Sequence, residues 1–233
     1  MQSLDDLGKL LVLSPHLDDA VFACGELLAA RPGAVLVTLF AGAPAKPVAL
    51  TAWDAASGFG TTAQAVAARR EEDRRALELL RATPVWLEFL DSQYGSSPHV
   101  IGLAEAIIAA LDEHQPATVL VPAGLFHSDH ILAHQAALTA RTHHPNREWL
   151  MYEDPLYRRI PSLLQKRLAN LAHDGIDATP VAFDTRPHAE RKRAAVQCYA
   201  SQLRALATPG RPGVDDMAAP EGYWRLTTAA VGC

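Results

Sequence analysis

Two groups of side chains that can bind metal ions or move protons stand out in this sequence. The first follows a short apolar run and reads Ser-Pro-His-Leu-Asp-Asp at residues 14–19, with one imidazole and two adjacent carboxylates. The second follows another apolar run and ends in His-Ser-Asp-His at residues 127–130. Imidazole nitrogens and carboxylate oxygens are ligands of many divalent transition metals. Both groups lie just past a predicted strand, so two strand ends could bring them together.

His16, Asp19 and His130 form the predicted metal-ligand set. Three protein ligands with one position left open are typical of a catalytic zinc site, so we expect one Zn²⁺ per chain. The spacing of three between His16 and Asp19 lets both side chains point the same way if the turn between them enters a helix. Zinc lowers the pKa of a bound water from ~15.7 towards ~7, which makes hydroxide available at neutral pH.

Three further side chains are surplus to this ligand set and suit acid–base chemistry. Asp18 is adjacent to a ligand in sequence but should project differently, which suits a general base. His127 could polarise a substrate carbonyl or protonate a leaving amine. Asp129 could fix the tautomer or charge of His127 through a hydrogen bond. The predicted chemistry is therefore metal-assisted hydrolysis.

Each of the two groups, taken alone, also has a purely structural explanation. An Asp-Asp pair after a strand often caps a helix, where carboxylates accept hydrogen bonds from free backbone N–H groups. A histidine in a loop is usually just solvated. Taken together, the groups are harder to explain in this way, because residue types that are costly to bury would then recur at two strand ends by coincidence.

The elements that must position these groups alternate between strand and helix. Apolar runs without polar alternation predict buried strands at 10–13, 34–40, 84–90, 118–121 and 149–152. Helical stretches lie between and after them, at 20–30, 62–81, 100–114, 131–141 and 162–173. This alternation predicts an α/β fold, a Rossmann-like three-layer αβα sandwich with a mostly parallel sheet.

The rest of the chain is expected to complete a single domain over residues 1–233. We predict a short strand at 179–183, a helix at 188–206, a loop at 208–220 and a final strand or extended tail at 223–231. The connection at 43–60 is long and rich in Pro, Ala and Gly, which is typical of a functional loop. Its Trp53, Asp54 and Phe59 could contact a sugar, or could simply belong to a mobile surface loop.

Composition excludes several classes of function. The chain has 233 residues, 49% of them apolar, and a net charge of −5. This charge and the absence of a basic stripe argue against nucleic acid as a partner. The charge-rich stretch 69–75 is most simply a solvated, salt-bridged helix face. No Gly-x-Gly-x-x-Gly, Walker A or Gly-x-Ser-x-Gly motif occurs, which disfavours nucleotide binding and a serine hydrolase.

The same sequence carries little sign of secretion or membrane insertion. Its three cysteines are widely spaced and form no Cys-x-x-Cys pair, which disfavours a disulfide framework or a cysteine zinc site. No apolar run approaches the ~18 residues needed to span a membrane, and the first nine residues do not resemble a signal peptide. We therefore expect no membrane span and a cytoplasmic location; a homo-oligomer is possible.

The two motifs together resemble a known enzyme family. Pro15-His16-Leu17-Asp18-Asp19, followed by His127-Ser128-Asp129-His130, is similar to the P-H-x-D-D and H-x-D-H motifs of the PIG-L/LmbE-like zinc N-acetylglucosaminyl deacetylases. Weaker similarity covers most of the chain. Residues 69–72 resemble the family's R-x-x-E helix, Leu90-Asp91 resembles its L-x-x-x-D loop, and residues 192–202 resemble its terminal K…Y-x-S-Q helix.

The resemblance implies a role for each of these positions. His16, Asp19 and His130 would be the zinc ligands and Asp18 the base, while His127, with Asp129 behind it, would stabilise the oxyanion and assist the leaving amine. Arg69 and Asp91 lie where relatives contact the sugar, although Arg69 could equally be an exposed helix charge. Leu17 and Ala20 replace the family's common proline and glutamate. Neither is a proposed ligand or acid–base group, so the predicted chemistry is retained.

The implied function is removal of an N-acetyl group from an N-acetylglucosamine-type sugar or glycoconjugate by metal-activated water. The expected partner is therefore a small-molecule or glycoconjugate substrate. One alternative is hydrolysis of another amide or ester by the same metal. Another, of a different class, is a metal-bearing sugar-binding protein without turnover. Enzymatic activity is favoured, because Asp18 and His127 are surplus to a simple ligand set.

Overall fold

Runs of valine and leucine that are apolar on both faces form the centre of a sheet. The computed structural model describes residues 2–95, 97–209 and 214–229. The strands are β1 (Leu10–Ser14), β2 (Val35–Thr38), β3 (Thr83–Trp86), β4 (Thr118–Pro122), β5 (Glu148–Tyr152), β6 (Ile176–Val181) and β7 (Tyr223–Thr228). The α-helices are α1 (Asp19–Ala30), α2 (Ala52–Ala56), α3 (Thr62–Leu80), α4 (Val100–His114), α5 (Ser128–His143), α6 (Leu163–His173), α7 (Ala189–Val196) and α8 (Ala200–Leu206).

The strand order places the two predicted site segments side by side. The strands form one sheet in the order β3-β2-β1-β4-β5-β7-β6. The first five in this order run parallel, whereas β7 is antiparallel to both of its neighbours. β1 and β4 are therefore adjacent, with Leu11 beside Val119. The chain continues from β1 to one side of the sheet and from β4 to the other, which makes the crevice beyond their carboxyl ends a topological switch point.

Helices cover both faces of the sheet. Alternate residues of β1 enter two separate apolar clusters, with Leu10 and Val12 in one and Leu11 and Leu13 in the other. The first cluster is closed by α1, α3 and α7, and the second by α4, α5 and α6. The predicted α/β fold, with three layers and a mostly parallel sheet, is confirmed. No helix within the described residues is long and apolar enough to cross a membrane.

The single helix predicted at 188–206 is wrong, because the chain breaks between α7 and α8. Tyr199 lies at the break, and its buried hydroxyl donates to the Asp73 carboxylate at 2.7 Å. The Glu72 carboxylate accepts the backbone N–H of Ser201 at 2.9 Å and its hydroxyl at 2.6 Å. Two carboxylates from α3 therefore bond the hydroxyl of Tyr199 and the start of α8, and a continuous helix would not place these groups in the same way. The residue pattern along 188–206 gives no indication of these contacts with α3.

Other element boundaries also differ from the predictions. The predicted strands 34–40 and 84–90 end earlier, at Thr38 and Trp86, with only an isolated antiparallel bridge beyond them between Phe40 and Glu88. The connection 43–60 contains α2, whose Thr51 side chain accepts the backbone N–H of Asp54 at 3.0 Å. Within the predicted loop and final strand, residues 210–213, 230 and 231 lie outside the described residues, as does Cys233.

Two backbone segments approach closely at Gly42, in the connection that follows β2, and this approach gives a stability prediction. A Cβ at Gly42 would overlap the backbone carbonyl of Glu88, which cannot move as a flexible side chain can. We expect Gly42→Ala to lower the melting temperature by about 2–12 °C, because overpacking costs about 1–3 kcal/mol and each kcal/mol shifts the melting temperature by about 2–4 °C in a domain of this size.

Gly102→Ala in α4 is the matched control. A Cβ there meets no atom within 4 Å, and alanine is favoured over glycine inside a helix by about 1 kcal/mol. Thermal unfolding followed by circular dichroism should show the two variants shifting in opposite directions. Equal melting temperatures for Gly42→Ala and the wild type would contradict the packing described here.

Candidate metal centre and active site

The turn after β1 places His16 and Asp19 side by side. The Ser14 hydroxyl donates to the carbonyl of His16 at 2.7 Å and accepts the N–H of Ala20 at 3.0 Å, which ties the end of the strand to the first turn of α1. The backbone N–H of His16 donates to Asp19 Oδ2 at 2.9 Å. The spacing of three residues therefore works as the sequence suggested, with both side chains on one side of the turn.

Asp19 joins the two distant segments. Its Oδ2 atom lies 3.1 Å from Nδ1 of His16 and 3.1 Å from Nε2 of His130, which is in the first turn of α5. Asp19 and His130 are buried and His16 is half-buried. The structure thus brings together two imidazoles and one carboxylate from the ends of β1 and β4, the three residues predicted as metal ligands.

A second carboxylate lies behind each imidazole. Nε2 of His16 is 3.0 Å from Asp129 Oδ2, and Nδ1 of His130 is 2.7 Å from Asp154 Oδ1. Histidine ligands of metal ions commonly donate their outer N–H to such a carboxylate, which fixes the ring and leaves the inner nitrogen for the metal. This donor set fits a divalent transition metal ion.

The charges of this cluster shift the pKa of each member. Burial lowers the pKa of His130, but Asp19 and Asp154 outweigh it and raise the pKa to about 10. Burial likewise lowers the pKa of His16, and nearby carboxylates, led by Asp91, raise it well above its usual value. Burial raises the pKa of Asp19, but His130 and His16 hold it well below its usual value. The site therefore carries enough negative charge to stabilise a cation between the rings.

A second group of residues shares His16. His16, His127 and Asp129 also place one ligand atom each within 4.8 Å of one another. His16 directs Nδ1 towards Asp19 and Nε2 towards Asp129, so the two groups lie on opposite edges of its ring. In the His16–Asp19–His130 group, both imidazoles have a carboxylate on their outer nitrogen. We therefore take that group as the candidate metal centre.

Asp18 and His127 lie on the wall of the cavity in front of this centre. Burial and the neighbouring Asp19 raise the pKa of Asp18 to about 8, against the opposing charges of His16, Arg69 and His130. Nδ1 of His127 accepts the backbone N–H of Asp129 at 3.2 Å, so the neutral ring carries its proton on Nε2. Burial, followed by the charges of His16 and His130, lowers the pKa of His127.

The structure gives Asp129 different partners from the one expected. Its side chain was expected to bond His127, but its Oδ2 atom contacts His16 and accepts the backbone N–H of Ser92 at 3.0 Å. The backbone of Asp129 contacts His127 instead, because His127 is the N-cap of α5. The tautomer of His127 is thus set by helix capping, which the spacing of two residues could have indicated.

The cavity in front of the centre has a volume of about 910 Å³ and is lined by both polar and apolar side chains. Its polar lining includes the residues of the candidate centre, together with Asp18, Asp91, Gln93, His127, Arg159, Gln202, Asp215 and Asp216. Its apolar lining includes Trp53, Phe126, Pro155, Leu156, Tyr157, Ile160 and Leu206. Such a cavity is near the upper end of the range of about 300–1,000 Å³ that small-molecule sites span.

Comparisons with known proteins agree with this geometry. Residues 11–141, more than half of the chain, match the family model described as PIG-L, GlcNAc-PI de-N-acetylase. The chain belongs to the PIG-L family. It is an enzyme of the N-deacetylase type, and its two site motifs lie at the two ends of the matched region. No curated protein matches the chain significantly.

Solved structures of deacetylases are similar to this PIG-L chain over nearly its whole length. The teicoplanin-pathway deacetylase triple mutant Orf2*T is 28% identical, with a TM-score of 0.78 over 96% of this chain and 100% of that one. The A40926 pseudoaglycone deacetylase Dbv21 is 27% identical, with a TM-score of 0.77 over 97% and 100%. The zinc-inhibited form of teicoplanin deacetylase Orf2 is 25% identical, with a TM-score of 0.77 over 96% and 100%.

Arg69, one of the two predicted substrate contacts of this PIG-L chain, is engaged by protein groups. It is only 4% exposed, so the reading of Arg69 as an exposed helix charge is wrong. Its guanidinium pairs with Asp54 at 2.7 Å and donates to the Tyr94 hydroxyl at 2.8 Å. Arg69 thereby holds α2 and the 43–60 connection against α3. It also lines a small cavity beside His16, and its contact with substrate stays a prediction.

Asp91, the other predicted substrate contact, lies beside the centre. Its Oδ2 atom is 4.0 Å from Nε2 of His16, and it lines the large cavity. Its carboxylate also accepts the backbone N–H of Gln93 at 3.0 Å and the Gln93 side-chain amide at 2.5 Å. The structure therefore places Asp91 where a substrate would reach it, and its binding role also stays a prediction.

The charge-rich stretch 69–75 is not a uniformly solvated face. Arg74 and Glu71 form an exposed pair at 2.8 Å, as expected for such a face. Arg69, Glu72 and Asp73 are buried instead, because they hold α2 and the break between α7 and α8. The three buried positions continue the helical stripe formed by Ala65, Val66, Ala76 and Leu77, so periodicity indicates their burial but not the partners that they meet.

The loop between β4 and α5 is held by two side chains from other parts of the chain, the buried Asp154 and the half-buried Arg167. Asp154 Oδ2 accepts the N–H of Leu125 at 3.0 Å, while its other oxygen contacts His130. Arg167 of α6 donates to the carbonyls of Ala123 and Gly124 at 2.7 and 2.8 Å. Asp154 thus orients both a predicted ligand, His130, and the loop that carries His127. This role was not predicted from the sequence, although the position of Asp154 just after β5, at the same edge of the sheet, could have indicated it.

A metal-affinity prediction follows from the contact between Asp154 and His130. Asp154→Asn should weaken zinc binding about 10–100-fold, because the amide orients and polarises the imidazole less well than the carboxylate does. Competition against a fluorescent zinc chelator measures the change. The control is Asp73→Asn, which removes another buried carboxylate, one that contacts Tyr199 and Trp86. Equal zinc affinity in Asp154→Asn and Asp73→Asn would contradict the orienting role.

His134 provides a pH-dependence prediction. Burial and the charge of Arg167 hold its pKa at about 3, and its Nδ1–H donates to the Pro122 carbonyl at 2.8 Å. Because the unfolded ring has a pKa near 6.5, only the unfolded state binds a proton between about pH 6.5 and 3, so this group's contribution to stability falls as the pH falls through that window. His134→Asn keeps a donor for Pro122 but does not titrate.

Urea unfolding of metal-free protein at pH 7 and pH 5 tests this effect. We expect the wild type to lose ~2 kcal/mol more of its unfolding free energy than His134→Asn does over this interval, since each pKa unit corresponds to about 1.36 kcal/mol. Identical losses in the two proteins would show that His134 is protonated in the folded state.

Proposed function

We propose that this protein is a zinc-dependent hydrolase that removes the N-acetyl group from an N-acetylglucosamine-type sugar or from a glycoconjugate that carries one. The observation that carries the proposal is the meeting of His16, Asp19 and His130 in the lining of a large cavity, each imidazole within 3.1 Å of one Asp19 oxygen. Asp18 and His127, two groups suited to proton transfer, line the same cavity.

The metal would be held by Nδ1 of His16, Nε2 of His130 and the carboxylate of Asp19. When bound, a zinc ion supplies Lewis acidity, which favours deprotonation of water and polarises an amide carbonyl. Asp129 and Asp154 keep the two imidazoles oriented for this task through their outer nitrogens. The rest of the chemistry falls to side chains on the cavity wall.

Asp18 is placed to act as the general base. It is adjacent to a metal ligand, and its carboxylate lines the cavity where water and substrate enter. In the proposed reaction Asp18 takes a proton from the attacking water, whose oxygen forms a bond to the amide carbon. Such positioned proton transfer contributes about 10²–10⁴-fold to rate.

His127 is placed to act on the other side of the reacting amide. Its Nδ1 accepts the Asp129 N–H, so its Nε2–H is available to donate to the carbonyl oxygen as negative charge develops there. As the C–N bond breaks, the nitrogen takes up a proton and leaves as the free amine of the sugar, while the acyl group leaves as acetate. The proton removed from water is thereby returned to the amine.

The substrate class is supported by the comparisons and by the volume of the cavity. The family description names an N-acetylglucosamine conjugate, and two of the similar structures are deacetylases of a pseudoaglycone and of teicoplanin biosynthesis. The cavity of about 910 Å³ leaves room for a group attached to the sugar. From these proteins we carry over to this chain only the substrate class that they share, an acetamido sugar that is free or conjugated.

Zinc content and acetate release, measured together, test the proposal. Purified wild type should hold about one zinc per chain and release acetate from N-acetylglucosamine conjugates. His130→Ala should lose both properties, because it removes a ligand. Asp18→Asn should keep the zinc and lose at least 10²-fold in kcat, because it removes only the base.

Asp177→Asn, an exposed change in β6, is the matched control and should leave zinc content and kcat unchanged. Acetate release that persists without metal would refute the zinc mechanism. Full activity in Asp18→Asn would refute the role of Asp18 as base. A panel of other N-acyl and ester substrates shows whether the acetamido sugar is preferred.

A further inference from the structure

Phe126 has a backbone conformation that bulky residues rarely adopt. It lies between the strand end at Pro122 and His127, and its φ angle is +62°, in the left-handed region. The backbone N–H of His127 donates to the carbonyl of Leu125 at 2.7 Å, which closes a tight γ-turn around Phe126. Turns of this kind with a positive φ are rare and strained. Glycine or asparagine would meet the backbone requirement more easily.

Core packing does not explain why a phenylalanine occupies this turn. Phe126 is 64% exposed, the highest exposure of any large apolar side chain in the part of the chain that the structure describes. Its ring stacks on Tyr157, with centroids 5.2 Å apart and planes 30° apart. Tyr157 in turn meets the His130 ring edge-on at 5.4 Å. An aromatic stack therefore leads from the candidate metal centre to the mouth of the cavity.

This stack belongs to a larger apolar wall. Leu156 and Ile160, from the segment after β5, line the cavity together with Phe126 and Tyr157. Ile160 is 36% exposed, so two exposed apolar side chains line the cavity, beside the ion pair of Arg159 and Asp216 that lines it as well. Apolar and aromatic side chains that line a cavity offer surface on which apolar parts of a ligand are removed from water. A free acetamido sugar, which is small and polar, would leave most of this wall uncovered.

We propose that Phe126, supported by Tyr157, is a specificity-determining platform that binds an apolar aglycone attached to the acetamido sugar. The inference rests on the proposed function for the position of the sugar, which lies at the metal centre with its acetamido group. The aglycone then extends from the sugar across the Phe126 ring. The natural substrate is accordingly a glycoconjugate with an aromatic or alkyl group, not the free sugar.

The first test compares three N-acetylglucosamine β-glycosides that differ only in the aglycone: methyl, phenyl and hexyl. In the wild type, kcat/KM should be at least tenfold higher for the phenyl and hexyl compounds than for the methyl compound. Phe126→Asn, which tolerates the left-handed turn, should lose this preference about tenfold, mainly through KM. Phe126→Trp should retain it, because it restores an aromatic surface. A preference for phenyl over hexyl would identify the aglycone as aromatic.

Several results would overturn the inference. An unchanged preference in Phe126→Asn would show that the ring does not contact the aglycone. An equal loss on all three substrates would show that the turn only positions His127. If kcat/KM changes when an N-hexanoyl group replaces the N-acetyl group, the apolar wall binds the acyl chain and not the aglycone. A lower melting temperature for Phe126→Asn than for the wild type would make the ring a structural residue.

A binding measurement keeps this test separate from that of the proposed function. Phenyl β-glucoside lacks the amide, so it can bind without being hydrolysed, and calorimetry gives its Kd on zinc-loaded protein. We expect Phe126→Asn to weaken this Kd about tenfold and Phe126→Trp to preserve it. If the Kd does not depend on residue 126, the platform is refuted even when acetate is released. If acetate is never released but this dependence is seen, only the proposed hydrolysis fails.

Discussion

The carboxylate of Asp19 is the contact on which the rest of the site depends. One of its oxygens lies 3.1 Å from an imidazole nitrogen of each segment, His16 after β1 and His130 in α5. These segments are brought together only because β1 and β4 are neighbours in the sheet. A buried ring, a half-buried ring and a buried carboxylate are costly to desolvate unless they are paired or hold a cation. A divalent cation between them would satisfy all three groups at once.

The surrounding structure limits how far these three groups can move. Asp129 and Asp154 bond the outer nitrogens of the two rings, and both carboxylates also accept backbone N–H groups of nearby loops. Ligand orientation and loop position are thus coupled through the same side chains. Arg69, which lines a small cavity beside His16, forms a buried ion pair with Asp54 that holds the 43–60 connection. Precise placement of the reacting groups is what metal-assisted hydrolysis requires, because small displacements reduce rate strongly.

Much of the site could be predicted because it follows local rules. Apolar runs indicate buried strands, and parallel strands share one edge for their carboxyl ends, so polar residues just past two such runs are expected to converge. The spacing of His16 and Asp19 follows from a turn that enters a helix. These features depend on a few adjacent residues, and the structure brings the predicted ligands together.

The remaining features depend on contacts between distant elements and could not be inferred in this way. The helix at 188–206 breaks because Glu72 and Asp73 of α3 bond the chain there. The partners of the buried Arg69 side chain, Asp54 and Tyr94, come from two other segments. Nothing in the sequence around Phe126 indicates a positive φ, since phenylalanine rarely adopts one. Single-sequence patterns report periodicity and composition, not which partner each side chain meets.

X-ray absorption spectroscopy of the zinc-loaded wild type most directly tests whether two strand ends share one cation. Two imidazole nitrogens at about 2.0–2.1 Å and carboxylate or water oxygens at about 2.0–2.2 Å are expected around the metal, with no sulfur ligand. A sulfur scatterer near 2.3 Å, or a shell that contains fewer than two imidazoles, would contradict a centre formed by His16, Asp19 and His130.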